Sequence, residues 1–199
     1  MQDIWSSPEE KKALRRALKH ARAGEPYDVR AQKDRLIALR LTQLQEFVTA
    51  RTIFVYYSVG AEVATHSIIS KALDMGKIVT LPRVTASHEM EAVRYTGGAE
   101  ELIPAFQGIP EPAVGQVYAP QEIDFAVVPC LACAENGIRL GYGGGFYDCW
   151  LQCFQGMSAV LCREQFLCAS LPEEPHDVKV RRIVTERQTI RSDGAEYEK

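Results

Sequence analysis

Between Thr52 and Leu81 the chain reads strand, helix, strand, and that unit restricts it to folds built on parallel pairing. Thr52-Ile-Phe-Val-Tyr-Tyr57 is a run of β-branched and aromatic residues without polar alternation, as in a strand buried on both faces. A helical stretch from Thr65 to Met75 is closed by Gly76, and Lys77 to Leu81 reads as a second strand before Pro82. Joined at this spacing, two strands and a helix make a right-handed crossover with the strands parallel. Further strands are predicted at Met90–Tyr95, Asp124–Pro129, near Ser158–Cys162 and near Val180–Val184, with a helix from Phe146 to Phe154. The stretch from Gly97 to Gln121 is dense in Gly and Pro and reads mainly as loop. The pattern predicts an α/β fold with a mostly parallel central sheet.

Two helices precede the first strand. Ser7-Pro8-Glu9-Glu10 combines a capping serine, a proline suited to the first helical position and a glutamate that completes a capping box. The helix runs to about Arg22 with Ala13, Leu14, Ala17, Leu18 and Ala21 as its apolar face. A second helix is predicted from Asp28 to Ala50, with Ile37, Leu41, Leu44 and Val48 in one stripe widened by Leu36 and Phe47. With no repeat and no linker, the expected organisation is one domain: a helical pair over 1–50, an α/β core over 51–187 and a polar tail over 188–199.

Charge and composition narrow the partners. Hydrophobic residues make up 46% and charged residues 25% of the 199, which argues against disorder. The longest nearly apolar run, Phe125 to Ala134, is too short to span a bilayer. No secretion signal is visible at the start, so a cytoplasmic protein without membrane partners is expected. The net charge is −3, yet the first 51 residues hold 11 Lys/Arg against 7 Asp/Glu. That basic quarter is a solvated helix face or a cationic wall for an anionic ligand. With an acidic pI of about 5.9, nucleic-acid binding is not expected.

Six cysteines without a signal peptide are expected to be free thiols. Cys130, Cys133, Cys149 and Cys153 come near a zinc-ribbon spacing, with one residue too many in the second pair. The first two lie in a strand-like run and the second two where a helix should be running, which favours small buried side chains over a zinc-binding interaction module.

The stretch Asn136-Gly-Ile-Arg-Leu-Gly-Tyr-Gly-Gly-Gly-Phe-Tyr-Asp148 carries the clearest chemical signal. Gly141, Gly143, Gly144 and Gly145 follow a strand and precede a helix, where backbone N–H groups can approach an anion closely. The pattern lacks the Lys-Ser/Thr ending of a Walker loop and the spacing of a dinucleotide fingerprint. Asp148, directly after the loop, is placed to hold Mg²⁺ beside a phosphate or to cap the helix.

The segment Val128-Pro129-x4-Ala134-x2-Gly137-x-Arg139-Leu-Gly-Tyr-Gly-Gly-Gly-Phe-Tyr-Asp148 resembles the signature of the 5-formyltetrahydrofolate cyclo-ligase (methenyltetrahydrofolate synthetase) family. The similarity covers nearly the whole chain: Lys11-x-x-Leu-Arg15, Tyr56 to Thr65 with Glu62, Gly76-Lys77, Leu81-Pro82-Arg83, Met90, Glu164-Gln165 and Leu171-Pro172-x-x-x-His176-Asp177 occur in the family's order. The resemblance implies a three-layer α/β/α fold and the ATP- and Mg²⁺-dependent closure of 5-formyltetrahydrofolate to 5,10-methenyltetrahydrofolate. A same-fold enzyme acting on another small molecule is the alternative. A monomer is expected.

The site residues follow from the same resemblance. Lys11 and Arg15 would contact ATP phosphates, and Arg139, Leu140, Gly141, Tyr142, Gly143, Gly144, Gly145, Phe146 and Tyr147 would wrap the triphosphate. Arg15, Arg139 and Tyr147 are the catalytic candidates. Tyr57 and Glu62, with Tyr142 and Phe146, would contact the folate. Asp148 and Asp177 are the Mg²⁺ candidates, hard oxygen ligands suited to that ion. The chain departs from the family at Cys130 and Cys133, where Gly and Phe are usual, at Cys149, where many bacterial members have Arg, and at Arg181, where an acid is common. Arg181 swaps that negative charge for a positive one four residues from Asp177, so either the acid is not essential to the metal or catalysis is weakened. His20, His66 and His88 show no ligand spacing, and His176 reads as structural.

Overall fold

The computed structural model describes residues 8–192; Ser7 and with it the expected capping box lie outside them. Three helices come first: α1 (Pro8–Gly24), α2 (Tyr27–Gln43) and α3 (Gln45–Thr49). Then follow β1 (Thr52–Val55), α4 (His66–Asp74), β2 (Ile78–Ala86) and β3 (Glu89–Tyr95). The stretch expected as loop contains three short strands, β4 (Leu102–Pro104), β5 (Pro110–Pro112) and β6 (Val117–Tyr118). The second half runs β7 (Phe125–Val128), β8 (Ala132–Ala134), β9 (Arg139–Leu140), α5 (Phe146–Gln152), β10 (Met157–Leu161), β11 (Leu167–Cys168), β12 (Arg182–Val184) and β13 (Thr189–Arg191). The last strand corrects the expected tail from 188: Ile190 pairs with Ile183 and is buried.

The main sheet has eight strands in the order β13-β12-β10-β7-β1-β2-β3-β6. The central pairings β12–β10, β10–β7, β7–β1 and β1–β2 are parallel, as the crossover spacing predicted. Antiparallel strands close both edges. Strand β2 continues through Pro82, beyond its pairing with β1, so the missing N–H breaks no bond on that side.

Alternate residues of the central strands feed two cores. Ile53, Val55, Phe125, Val127, Ala159 and Leu161 meet α2, α3 and α4 on one face. Phe54, Ala126, Val128 and Val160 meet Trp150 and Leu151 of α5 on the other. A small sheet, β11-β8-β9, completes that second layer, which is therefore only partly helical.

Two helix expectations are corrected. On α1 the alanines Ala13, Ala17 and Ala21 face solvent, and the inward face is Lys11, Leu14, Arg15, Leu18 and Arg22. The predicted second helix is broken at Leu44, whose ψ of 133° is extended. The break turns Phe47 inward to meet Phe125 edge-on at 5.7 Å and leaves Val48 exposed; Leu36, within α2, is exposed as well. Burying a phenyl ring gains more apolar area than burying a valine, so the aromatic decides the register.

Candidate active site

The chain runs from β1 to β2 on one side of the sheet and from β7 to β10 and β12 on the other, so the strand order reverses between β1 and β7. Crevices beyond the carboxyl ends of strands at such a reversal are the usual ligand sites of open α/β sheets. Here the crevice is a cleft of about 810 Å³, and every candidate site residue from the sequence lines it.

One wall is the inward face of α1. Lys11, only 4% exposed, donates to Glu174 Oε2 at 2.6 Å and to Asp177 Oδ2 at 2.7 Å. Arg15 Nε donates to the Gly141 carbonyl at 3.0 Å, so this helix is tied to the glycine-rich loop. Lys19 and Arg22, which sequence reasoning passed over, line the cleft too. They continue the helical spacing of Lys11 and Arg15, a stripe legible in hindsight. Lys19 Nζ lies 5.3 Å from the centre of the Tyr142 ring.

The facing wall is the loop itself. Positive φ occurs at Gly143 (+103°) and Gly145 (+71°), where a side chain would be strained. Gly144 is needed for space instead, because a Cβ there would come within 2.7 Å of the Phe146 ring. Arg139 is buried with its Nη2 3.0 Å from Asp148 Oδ1, while its Nε has no partner within the protein. A buried donor left unpaired costs about 1–3 kcal/mol, a cost that an anionic ligand in the cleft would relieve. Tyr147 packs against Phe54 beneath the loop, and burial pushes its phenol up, so it stays protonated.

The third wall follows β1. Tyr57 stands edge-on to His66 at 4.5 Å, and Glu62 Oε2 accepts the Val59 N–H at 2.8 Å. Burial raises the Glu62 carboxyl, against the lowering effect of that N–H and of the Tyr142 hydroxyl bonded to it. A set of buried charges unforeseen from the sequence holds this loop. Arg163 pairs with Asp34 through two bonds of 2.8 Å and donates to the carbonyls of Ala61 (3.1 Å) and Glu62 (3.0 Å). Arg22 donates to Leu131 O at 3.0 Å and Ala61 O at 3.3 Å.

Asp148 and Asp177 share the cleft floor. Asp148 Oδ1 accepts from Arg139 and from the Val178 N–H at 3.1 Å, which ties α5 to the loop carrying Asp177. Ligand atoms of Glu174, His176 and Asp177 lie within 4.8 Å of one another, the only such group of three among the described residues. The four cysteines therefore do not form a zinc site: Cys130 and Cys133 are buried, whereas Cys149 and Cys153 are exposed on and just after α5. Arg181 is exposed and lies outside the cleft lining.

The model of the 5-formyltetrahydrofolate cyclo-ligase family matches residues 7–186. The chain belongs to this family. It is 31% identical to the 5-formyltetrahydrofolate cyclo-ligase of Mycolicibacterium smegmatis, over 92% of this chain and 97% of that one. The Mus musculus enzyme of the same name is 29% identical over 88% and 93% of the two chains. Among solved structures, 5,10-methenyltetrahydrofolate synthetase of Aquifex aeolicus superposes with a TM-score of 0.83 at 27% identity, covering 95% of this chain and 96% of that one. The two chains thus share one α/β fold over nearly their whole lengths. No helix among the described residues is long and apolar enough to cross a membrane.

Proposed function

We propose that the cleft binds 5-formyltetrahydrofolate, ATP and Mg²⁺ together and closes the folate to 5,10-methenyltetrahydrofolate, releasing ADP and phosphate. As a cyclo-ligase family member the protein is a ligase of folate one-carbon metabolism that uses ATP. The observation that carries the assignment of the site is the pairing of two walls. A cationic helix face and a glycine-rich loop meet across one crevice, joined by Arg15 and Gly141.

The chemistry explains why a nucleotide is required. A formamide oxygen is a poor leaving group. Transfer of the γ-phosphoryl group to it, with ADP leaving, makes an activated imidate phosphate. The neighbouring N10 attacks that carbon and loses its proton to solvent, and the C–O bond breaks to release phosphate. Such transfer depends on positioning and charge neutralisation more than on acid–base groups. Arg15 and Arg139 supply cations at the phosphates, and the loop N–H groups supply donors. Tyr147, protonated, can donate but not act as a base. Tyr57, Glu62 and Tyr142 hold the pterin, with Glu62 accepting from its N–H groups, and Phe146 covers it. Mg²⁺, when bound, offsets negative charge on the phosphates. Asp148 and Asp177 offer the hard carboxylate oxygens that such an ion takes, and Glu174 and His176 lie beside Asp177. A cytoplasmic monomer completes this reading, and a reducing compartment would keep the six thiols free.

The test is the methenyl chromophore. Purified protein with 5-formyltetrahydrofolate should produce it only when ATP and Mg²⁺ are both present, and Asp148→Asn should raise the Mg²⁺ needed for half-maximal rate. Product formation without ATP would refute the reading, and an unchanged Mg²⁺ requirement would remove Asp148 from the metal site.

A further inference from the structure

His88 occupies the tip of the hairpin joining β2 to β3, and it is one of two non-glycine residues with positive φ among those described, at +63°. Left-handed backbone is costly for a residue with a Cβ and persists where surrounding contacts over-determine it. The contact here is specific. Nδ1 of His88 lies 2.7 Å from the Gly144 carbonyl, across 56 residues of sequence. A carbonyl only accepts, so Nδ1 carries the proton and donates. A Cβ on Gly145 would lie 3.1 Å from the same nitrogen, so the glycine also makes room for the imidazole. The ring sits 6.2 Å from Phe146, which meets Phe106 edge-on at 5.3 Å.

A loop with four glycines in five positions has much backbone freedom to lose when it closes on a ligand. Two side chains from separate elements reduce that freedom in advance. Arg15 holds the carbonyl of Gly141 at one end, and His88 holds the carbonyl of Gly144 at the other. In a planar trans peptide the C=O of one residue and the N–H of the next point in opposite directions. Fixing the Gly144 carbonyl toward His88 therefore turns the Gly145 N–H away from it.

We infer that His88 is a positioning residue that clasps the glycine-rich loop through the Gly144 carbonyl and presets its N–H groups for the triphosphate. The inference rests on the proposed role of that loop in ATP binding. It assigns a function to a histidine that shows no metal-ligand spacing in the sequence.

Three variants test it. His88→Gly keeps the left-handed turn but removes the donor. Losing one neutral hydrogen bond that orders the loop should weaken ATP binding about five- to tenfold by calorimetry. KM for ATP should rise by the same factor, while KM for the folate and the melting temperature stay at their wild-type values. His88→Asn, which tolerates the turn and carries an N–H donor, should recover part of the loss. His88→Gly with wild-type ATP affinity would overturn the clasp, as would a loss shared equally by folate affinity and melting temperature. Gly144→Val separates this inference from the reading beneath it. If that variant abolishes ATP binding and His88→Gly does not change it, the clasp alone fails. If Gly144→Val also binds ATP normally, the loop is not the phosphate site.

Discussion

Glu62 lies half-buried after β1, and burial raises its carboxyl above the ordinary range despite the N–H and hydroxyl it accepts from. The sign of its effect on stability follows. A carboxyl whose folded pKa is raised contributes stability that is fully present below its unfolded pKa and is lost as pH rises through the folded value. At neutral pH the ionised Glu62 therefore destabilises the fold, which is the cost of keeping an acceptor ready for the pterin. Glu62→Gln should melt higher than wild type at pH 7, with the difference vanishing below about pH 4, while folate binding weakens on the order of tenfold. A variant that melts lower at pH 7, or binds folate normally, would contradict this role. At this scale the glycine loop and its flanking Arg139 and Asp148 were legible because residue type and spacing are the signal. Arg163 and Arg22 were not, because they bond main-chain carbonyls that come together only on folding, and Asp34 was not, because it accepts from Arg163 and the Ala64 N–H, both distant in sequence. Nothing in the pattern of a lone arginine says which carbonyl it will meet.

The first helix presents charge where an apolar face was expected, and its role follows from that inversion. Alanines bury little area, so α1 turns Ala13, Ala17 and Ala21 outward and places Lys11, Arg15 and Arg22 against the cleft. Arg15→Ala should weaken ATP by tenfold to a hundredfold, the range for a charge-assisted contact worth roughly 1.5–3 kcal/mol. Arg16→Ala, on the exposed side of the same helix, is the control. Equal small losses in both, measured by calorimetry, would reduce the effect to general electrostatics. Lys19 is unsuitable as that control because it lines the same cleft. Lys11→Ala should add a loss of stability, since it leaves Glu174 and Asp177 without their shared cation. That loss should fall below the ~3–5 kcal/mol of a fully buried pair, because the Glu174 side chain is 32% exposed. Helix α2 illustrates the limit of periodicity. The stripe Ile37, Leu41, Leu44, Val48 fits one continuous helix, but Phe125 on β7 recruits Phe47 and breaks it. Local spacing carries no record of that distant ring.

Across the whole molecule, the parallel core was readable from the crossover and the buried-strand runs, each of which is a local pattern with a long-range consequence. The edges were not: β6 and β13 are short strands in polar sequence whose pairing depends on β3 and β12 being in place. The order of strands, with its reversal between β1 and β7, gathers α1, the loop after β1, the glycine-rich loop and Asp177 around one crevice. The central claim is that this crevice transfers the γ-phosphoryl group of ATP to the formyl oxygen of the folate. Folate labelled with ¹⁸O in the formyl group tests it most directly, with mass analysis of the phosphate released during turnover with MgATP. The account predicts one ¹⁸O in each phosphate, in step with the methenyl product. Unlabelled phosphate, with the ¹⁸O recovered in water, would contradict it.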